Sequence, residues 1–104
     1  MDKFVTILCI VNDGFSTEVM DAAKKCGARG GTVLHGRGTA SKDAEKIFNI
    51  SIQPEKEVVV ILVNEKIKKN VLNELYNAVG SNTPAQGFVF ALPVDEVAGI
   101  SQNQ

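Results

Sequence analysis

The 104-residue chain has no tryptophan, one tyrosine, one histidine, two cysteines and three prolines. A lone His35 beside Cys9 and Cys26, which stand in apolar patterns with no Cys-x-x-Cys spacing, makes a poor zinc site, and no resident metal is expected. No serine or cysteine stands in a nucleophile context, and Asp13, Glu55, Glu57, Asp95 and Glu96 are scattered without obvious pairing. The sequence therefore names no catalytic residue, no enzyme activity and no redox cofactor. A net charge of −1 supplies no field to draw nucleic acid or an acidic lipid surface. No apolar run approaches the ~20 residues of a membrane span, so no membrane insertion is expected. The chain opens Met1-Asp2-Lys3 and passes straight into a strand pattern, which predicts a cytoplasmic protein with two buried free thiols. No Gly-x-x-x-x-Gly-Lys-Ser/Thr run occurs, so a P-loop hydrolase or kinase is not supported.

Glycine, in contrast, is concentrated. Gly27-Ala-Arg-Gly-Gly-Thr-Val-Leu-His-Gly-Arg-Gly-Thr39 holds five glycines, two arginines and the histidine around a short strand, Thr32-Val33-Leu34-His35. Glycine lets the backbone reach conformations and close approaches closed to other residues. Amides exposed that way, with Arg29, His35 and Arg37 nearby, suit an anion such as a phosphate. The same Gly-Arg-Gly also reads as a plain turn leaving a strand, and Gly27 as the residue that closes a helix.

The remaining pattern gives the order of elements. Phe4–Val11 is nearly continuous in apolar residues, as a central strand should be. Asn12-Asp13-Gly14 breaks it, and Ser16 is the expected N-cap of a helix carrying Val19, Ala22, Ala23 and Cys26, stopped by Gly27. A strand follows at about Gly31–Gly36, and Glu57–Val63 is the clearest strand of all. Asn64 caps a second helix with Ile67, Val71, Leu72, Leu75, Tyr76 and Val79 on one face. Gly87–Leu92 is the last strand, ended by Pro93. Ile10-Val11-Asn12, helix, Cys26-Gly27 echoes Leu62-Val63-Asn64, helix, Val79-Gly80.

Two such halves make a single domain over residues 1–104. Its fold class is α+β: a ferredoxin-like βαββαβ sandwich, a four-stranded antiparallel sheet with both helices on one face. Val58–Val63 puts apolar residues on both faces, so the uncovered face predicts an oligomer.

Residues 37–54 are polar and low in packing residues, which predicts a mobile loop, although Ser41–Phe48 has the makings of a turn or two of helix. Phe48 and Ile50 stand out in it. They dock on a neighbouring subunit, form the patch a partner protein sees, or pack on the chain's own sheet edge.

Taken together, Gly27-x-x-Gly-x-Thr32-Val33, the pair Gly36-x-Gly38 before a long loop, the strand Pro54–Val63 and Gly87-Phe-Val-Phe-Ala-Leu-Pro93-Val94 resemble the nitrogen-regulatory P-II superfamily over nearly the whole chain. The resemblance implies a homotrimer whose sheets form a central barrel. It also implies an adenine nucleotide, with or without Mg, in each cleft between subunits. The loop between strands 2 and 3 would contact a regulated transporter or metabolic enzyme. Carried over by position, Thr32 stands near the adenine edge, and Ile10 and Ile61 line the base pocket, although core packing is the simpler role of each isoleucine alone. Gly36, Arg37, Gly38 and Thr39 form the loop base at the phosphates, with Gly87 and Phe88 on the adjacent segment.

Departures from the family pattern shift the expected ligand. Phe88 replaces the family's phosphate-binding lysine, and two arginines of its C-terminal segment fall on Gly99 and Ser101. Hydrogen bonds to charged groups are worth roughly 1.5–3 kcal/mol each, so ADP or AMP is favoured over tight ATP binding unless Arg29, His35, Arg37, Lys42 or Lys56 compensates. The loop is short and holds no tyrosine, so nucleotidylation there is unsupported. The alternative is a trimer of the same fold that binds no nucleotide, like the divalent-cation-tolerance proteins.

Overall fold

The computed structural model describes residues 3–39 and 54–100. In chain order the elements are β1 (Phe4–Asn12), α1 (Ser16–Lys25), β2 (Thr32–Arg37), β3 (Glu55–Asn64), a 3₁₀ turn (Glu65–Ile67), α2 (Lys68–Val79) and β4 (Phe88–Pro93). The strands form one antiparallel sheet in the order β2-β3-β1-β4. Each βαβ half thus leaves room for one strand of the other half between its own two, β3 between β1 and β2 and β1 between β3 and β4, as expected of a ferredoxin-like sandwich. β3 extends two residues earlier than its apolar run, because Glu55 and Lys56 still pair with Arg37 and Gly36.

Strand alternation sorts the side chains into two layers. Val5, Ile7, Cys9 and Val11 of β1 and Val59, Ile61 and Val63 of β3 are buried against the helices. Val19, Ala22 and Ala23 of α1 and Val71, Leu75 and Val79 of α2 close that core. Burial pushes the Cys9 thiol up to about 12, so it behaves as a packing residue. Cys26 is half-buried, and both thiols are free.

The opposite layer carries residues of the same character without a cover. Its rungs, read across the sheet, are Phe88–Ile10–Val58–Leu34, then Phe90–Leu8–Val60–Thr32, then Leu92–Thr6–Leu62. Phe88, Leu34 and Leu92 are about half exposed there, and the Phe88 and Phe90 rings stack at 6.0 Å between centroids. The two-sided apolar strands read from the sequence are therefore two faces with different fates, one buried and one open.

Helix ends explain where the chain turns. Gly27 has φ +105. Its N–H donates to the Lys24 carbonyl while the Ala28 N–H reaches the Ala23 carbonyl, closing α1 in a Schellman motif. Ser16, expected as the N-cap, is instead the first helical residue; Phe15 occupies the cap position and offers no side-chain acceptor. The missing acceptor comes from β3, since Glu57 Oε1 accepts the Gly14 N–H at 2.6 Å and the Ser16 N–H at 3.3 Å. At the second helix, Asn64 Oδ1 accepts the Lys66 N–H at 2.9 Å, so Asn64 caps the 3₁₀ turn that precedes α2 rather than α2 itself.

Candidate functional site

One end of the sheet collects the glycines and the polar side chains. There β1 ends at Asn12, β2 at Arg37, and β3 begins at Glu55, while the turn before β4 comes alongside. The Gly38 N–H donates to the Pro54 carbonyl at 2.6 Å, which pins the exit of β2 to the entry of β3 and occupies that amide. Gly36 pairs with Lys56 across the strands. A Cβ on Gly38 would stand 3.0 Å from Lys56 Cε, so the glycine makes room for the lysine stem.

Lys56 Nζ donates to Asn12 Oδ1 at 2.6 Å. Asn12 is buried, and its amide nitrogen donates to the Pro84 carbonyl at 3.2 Å and to Gln86 Oε1 at 3.3 Å. Its backbone N–H reaches the Ala85 carbonyl at 2.9 Å. Asn12 thus ties the Gly36–Gly38 strand end to the turn before Gly87. Gly87 is required there by close approach: its N–H donates to the Val79 carbonyl, and a Cβ would collide with that oxygen and lie 2.8 Å from Val11 Cγ1.

Of the candidate site residues, Gly36, Arg37, Gly38 and Gly87 come to this end of the sheet, and Thr39 is exposed just beyond β2. Ile10 and Phe88 face each other on the first rung of the open face, immediately beside Asn12 and Lys56. Thr32 lies on the second rung of the same face, opposite Val60. Ile61 is separated from them. It is fully buried on the helix side, packed in the core, while Val58, Val60 and Leu62 are the apolar β3 residues that share a face with Ile10. Phe48, Ile50, Lys42 and the expected turn of helix at Ser41–Phe48 lie outside the described residues.

The structure also sorts the cations proposed to compensate for Phe88. Lys56 and Arg37 belong to the loop base. Arg29 lines a different cavity of about 270 Å³ with Gly27, Phe4, Leu62 and Asn64, where β2 begins and β3 ends. His35 turns to the helix side of the sheet, 3.8 Å from Asp13 and opposite Glu57.

Asn12 is the residue that sequence reasoning missed. The sequence marks it as part of the break after β1 and of the internal echo, and the structure makes it the hub of the candidate site. Its side-chain partners stand 44 and 74 positions away, a separation no local pattern encodes.

A family model described as nitrogen regulatory protein P-II matches residues 4–104. No curated protein sequence matches the chain. Among solved structures, Arabidopsis thaliana PII bound to citrate is similar with a TM-score of 0.71 and 24% identity, over 100% of this chain and 86% of that one. A protein of unknown function from Pediococcus pentosaceus gives a TM-score of 0.68 at 18% identity, covering 96% and 100%. The Bacillus subtilis GlnK–ATP complex gives 0.62 at 15%, covering 88% and 82%.

Proposed function

The chain belongs to the nitrogen regulatory protein P-II family, and from that premise we propose that it is a non-enzymatic sensor that assembles as a homotrimer and holds an adenine nucleotide between subunits. The carrying observation is the meeting of an uncovered apolar sheet face with a cationic, glycine-lined edge. Ile10 and Phe88 offer apolar surface to a base, Lys56 stands beside it on the same face for phosphate, and Arg37, which strand alternation directs to the other face, adds its charge at the end of β2. Thr32, with its hydroxyl on the same open face, contributes the polar contact to the base, and Gly36, Gly38, Thr39 and Gly87 bound the phosphate side. Citrate and ATP, the molecules named with two of the similar structures, are both anions, which agrees with a site built on cations and glycine backbone.

Two cations favour a diphosphate or monophosphate over a tightly held triphosphate. The unit spans residues 1–104 as one domain and works in the cytoplasm. Among the described residues no helix is long and apolar enough to cross a membrane. The loop at about 37–54, with Phe48 and Ile50, reports occupancy to a partner protein, a transporter or a metabolic enzyme. For that report the nucleotide must bind one loop state more tightly than the other.

Calorimetric titration with ADP, AMP and ATP, each with and without Mg, tests the reading. Saturable binding near one nucleotide per chain is expected, with ADP or AMP at least as tight as ATP. Arg37→Ala and Lys56→Met should each weaken it roughly tenfold to a hundredfold, the loss of one charged hydrogen bond. Absence of heat with all three nucleotides overturns the nucleotide assignment.

A further inference from the structure

We propose that Asp13, His35 and Glu57 form an open binding site for a divalent first-row transition ion on the helix side of the loop base. The three side chains come from the ends of β1, β2 and β3, and one donor atom from each lies within 4.8 Å of the others. His35 Nδ1 is 3.8 Å from Asp13 Oδ1. His35 and Glu57 are direct cross-strand partners, so the sheet register itself sets their spacing. Bonds of about 2.0–2.2 Å to nitrogen and oxygen at tetrahedral angles bring donors to roughly 3.3–3.6 Å of one another, so the set must close by about 1 Å, through rotation of the exposed Asp13 and His35 side chains.

The donor set is held from behind. Glu57 is only 6% exposed, and the Gly14 and Ser16 amides fix its carboxylate through Oε1. The N-terminal end of α1 is therefore covered by a carboxylate and does not present bare N–H groups to a cation. The Asp13 N–H donates to the Glu55 carbonyl at 3.1 Å, which anchors that residue beside β3. His35 and Asp13 remain largely open, with side chains 77% and 51% exposed, so water completes the coordination shell.

Charge points the same way. Two carboxylates converge here, and among the described residues their only ion-pair contact is the imidazole itself. Of the nearby cations, Lys56 lies on the opposite sheet face with its amine committed to Asn12, and Arg37, two residues beyond His35 on the same face, is exposed at the strand end and makes no ion pair among the described residues. A mixed imidazole–carboxylate set without sulfur suits zinc, manganese or iron in the divalent state. The site does not rest on the nucleotide reading, because its three donors lie on the sheet face opposite Ile10, Phe88 and Lys56. A bound ion would join the strand ends where residues 37–54 leave and re-enter the sheet.

The chain's single histidine makes the test direct. Chelator-treated, nucleotide-free protein carrying Cys26→Ser, which removes the half-buried thiol, is titrated with Zn²⁺ while the imidazole nitrogen resonances are followed. Calorimetry in parallel gives the stoichiometry. The expected result is a saturable shift of the His35 ring signals at one zinc per chain. Asp13→Asn and His35→Ala, both surface changes, should each weaken binding at least about tenfold with unchanged circular dichroism. No saturable shift, or zinc affinity equal to the parent in His35→Ala, overturns the site.

Discussion

Phe90→Asp is expected to convert the proposed homotrimer into monomer while leaving the chain folded. Phe90 sits in the middle rung of the open face with Leu8, Val60 and Thr32 beside it, away from the helix-side core. Burial against another chain is the simplest fate for such a face, since monomeric proteins rarely leave so large an apolar patch in water. Removing a phenylalanine forfeits about 2–3 kcal/mol of burial, and an unpaired carboxylate at a dry interface adds several more. In a closed trimer the change enters three times. Light scattering should therefore report one-third of the parent mass. Tyr76→Asp, which alters a more exposed aromatic on α2, should leave the mass unchanged. An intact trimer in Phe90→Asp would place the subunit contact elsewhere.

Loss of the Glu57 carboxylate is the second large effect expected. It satisfies two amides at the start of α1 from a strand 41 and 43 residues away, so it joins helix to sheet as well as capping the helix. Glu57→Leu should lower the unfolding free energy by about 2–4 kcal/mol, combining a lost charged hydrogen bond with unsatisfied amides. Glu57→Gln should fall between, because it keeps an acceptor and loses the charge. Burial pushes the Glu57 carboxyl up, yet the amides of Gly14 and Ser16, the Ser16 hydroxyl and the His35 charge outweigh it and hold the pKa below the usual range. A folded-state pKa below the unfolded value gives stability that is complete above about pH 4.3, the ordinary glutamate value. That stability disappears as pH falls through the depressed folded value. Urea denaturation at fixed protein concentration should thus show the Glu57→Gln deficit at pH 7 and its loss under acid. A deficit that persists unchanged into acid would assign the effect to packing.

Most of the architecture was legible because each element carries its own local signal. The continuous apolar run of β1, the Gly27 stop and the Asn64 cap all depend on residues a few positions apart. Strand character was equally clear in Val58–Val63, but the fate of each face was not. Ile61 illustrates the difficulty. Alternation separates it from Val60 and Leu62, yet every neighbour is apolar, and only the pairing of Ile10 with Val58 reveals which parity faces away from the helices.

The candidate site was half legible. Glycine density marked Gly36–Gly38, since close backbone approach leaves a compositional trace, whereas Gly87 was reached through the family resemblance. The side chains that join this end together, Asn12 and Lys56 to the turn before Gly87 and Glu57 to the start of α1, act across 41 to 74 positions and leave none. Ser16 was credited with a cap that Glu57 supplies for the same reason: sequence shows the plausible local acceptor and hides the distant one. His35 likewise appeared solitary because Asp13 and Glu57 join it only through the sheet register.

Native mass spectrometry with increasing ADP tests the central claim most directly, because assembly and occupancy are read from the same ions. The account predicts a species of three chains that fills with up to three nucleotides, and no nucleotide on any monomer. A monomer at every ADP concentration, or a trimer that stays empty at saturating ADP, would contradict it.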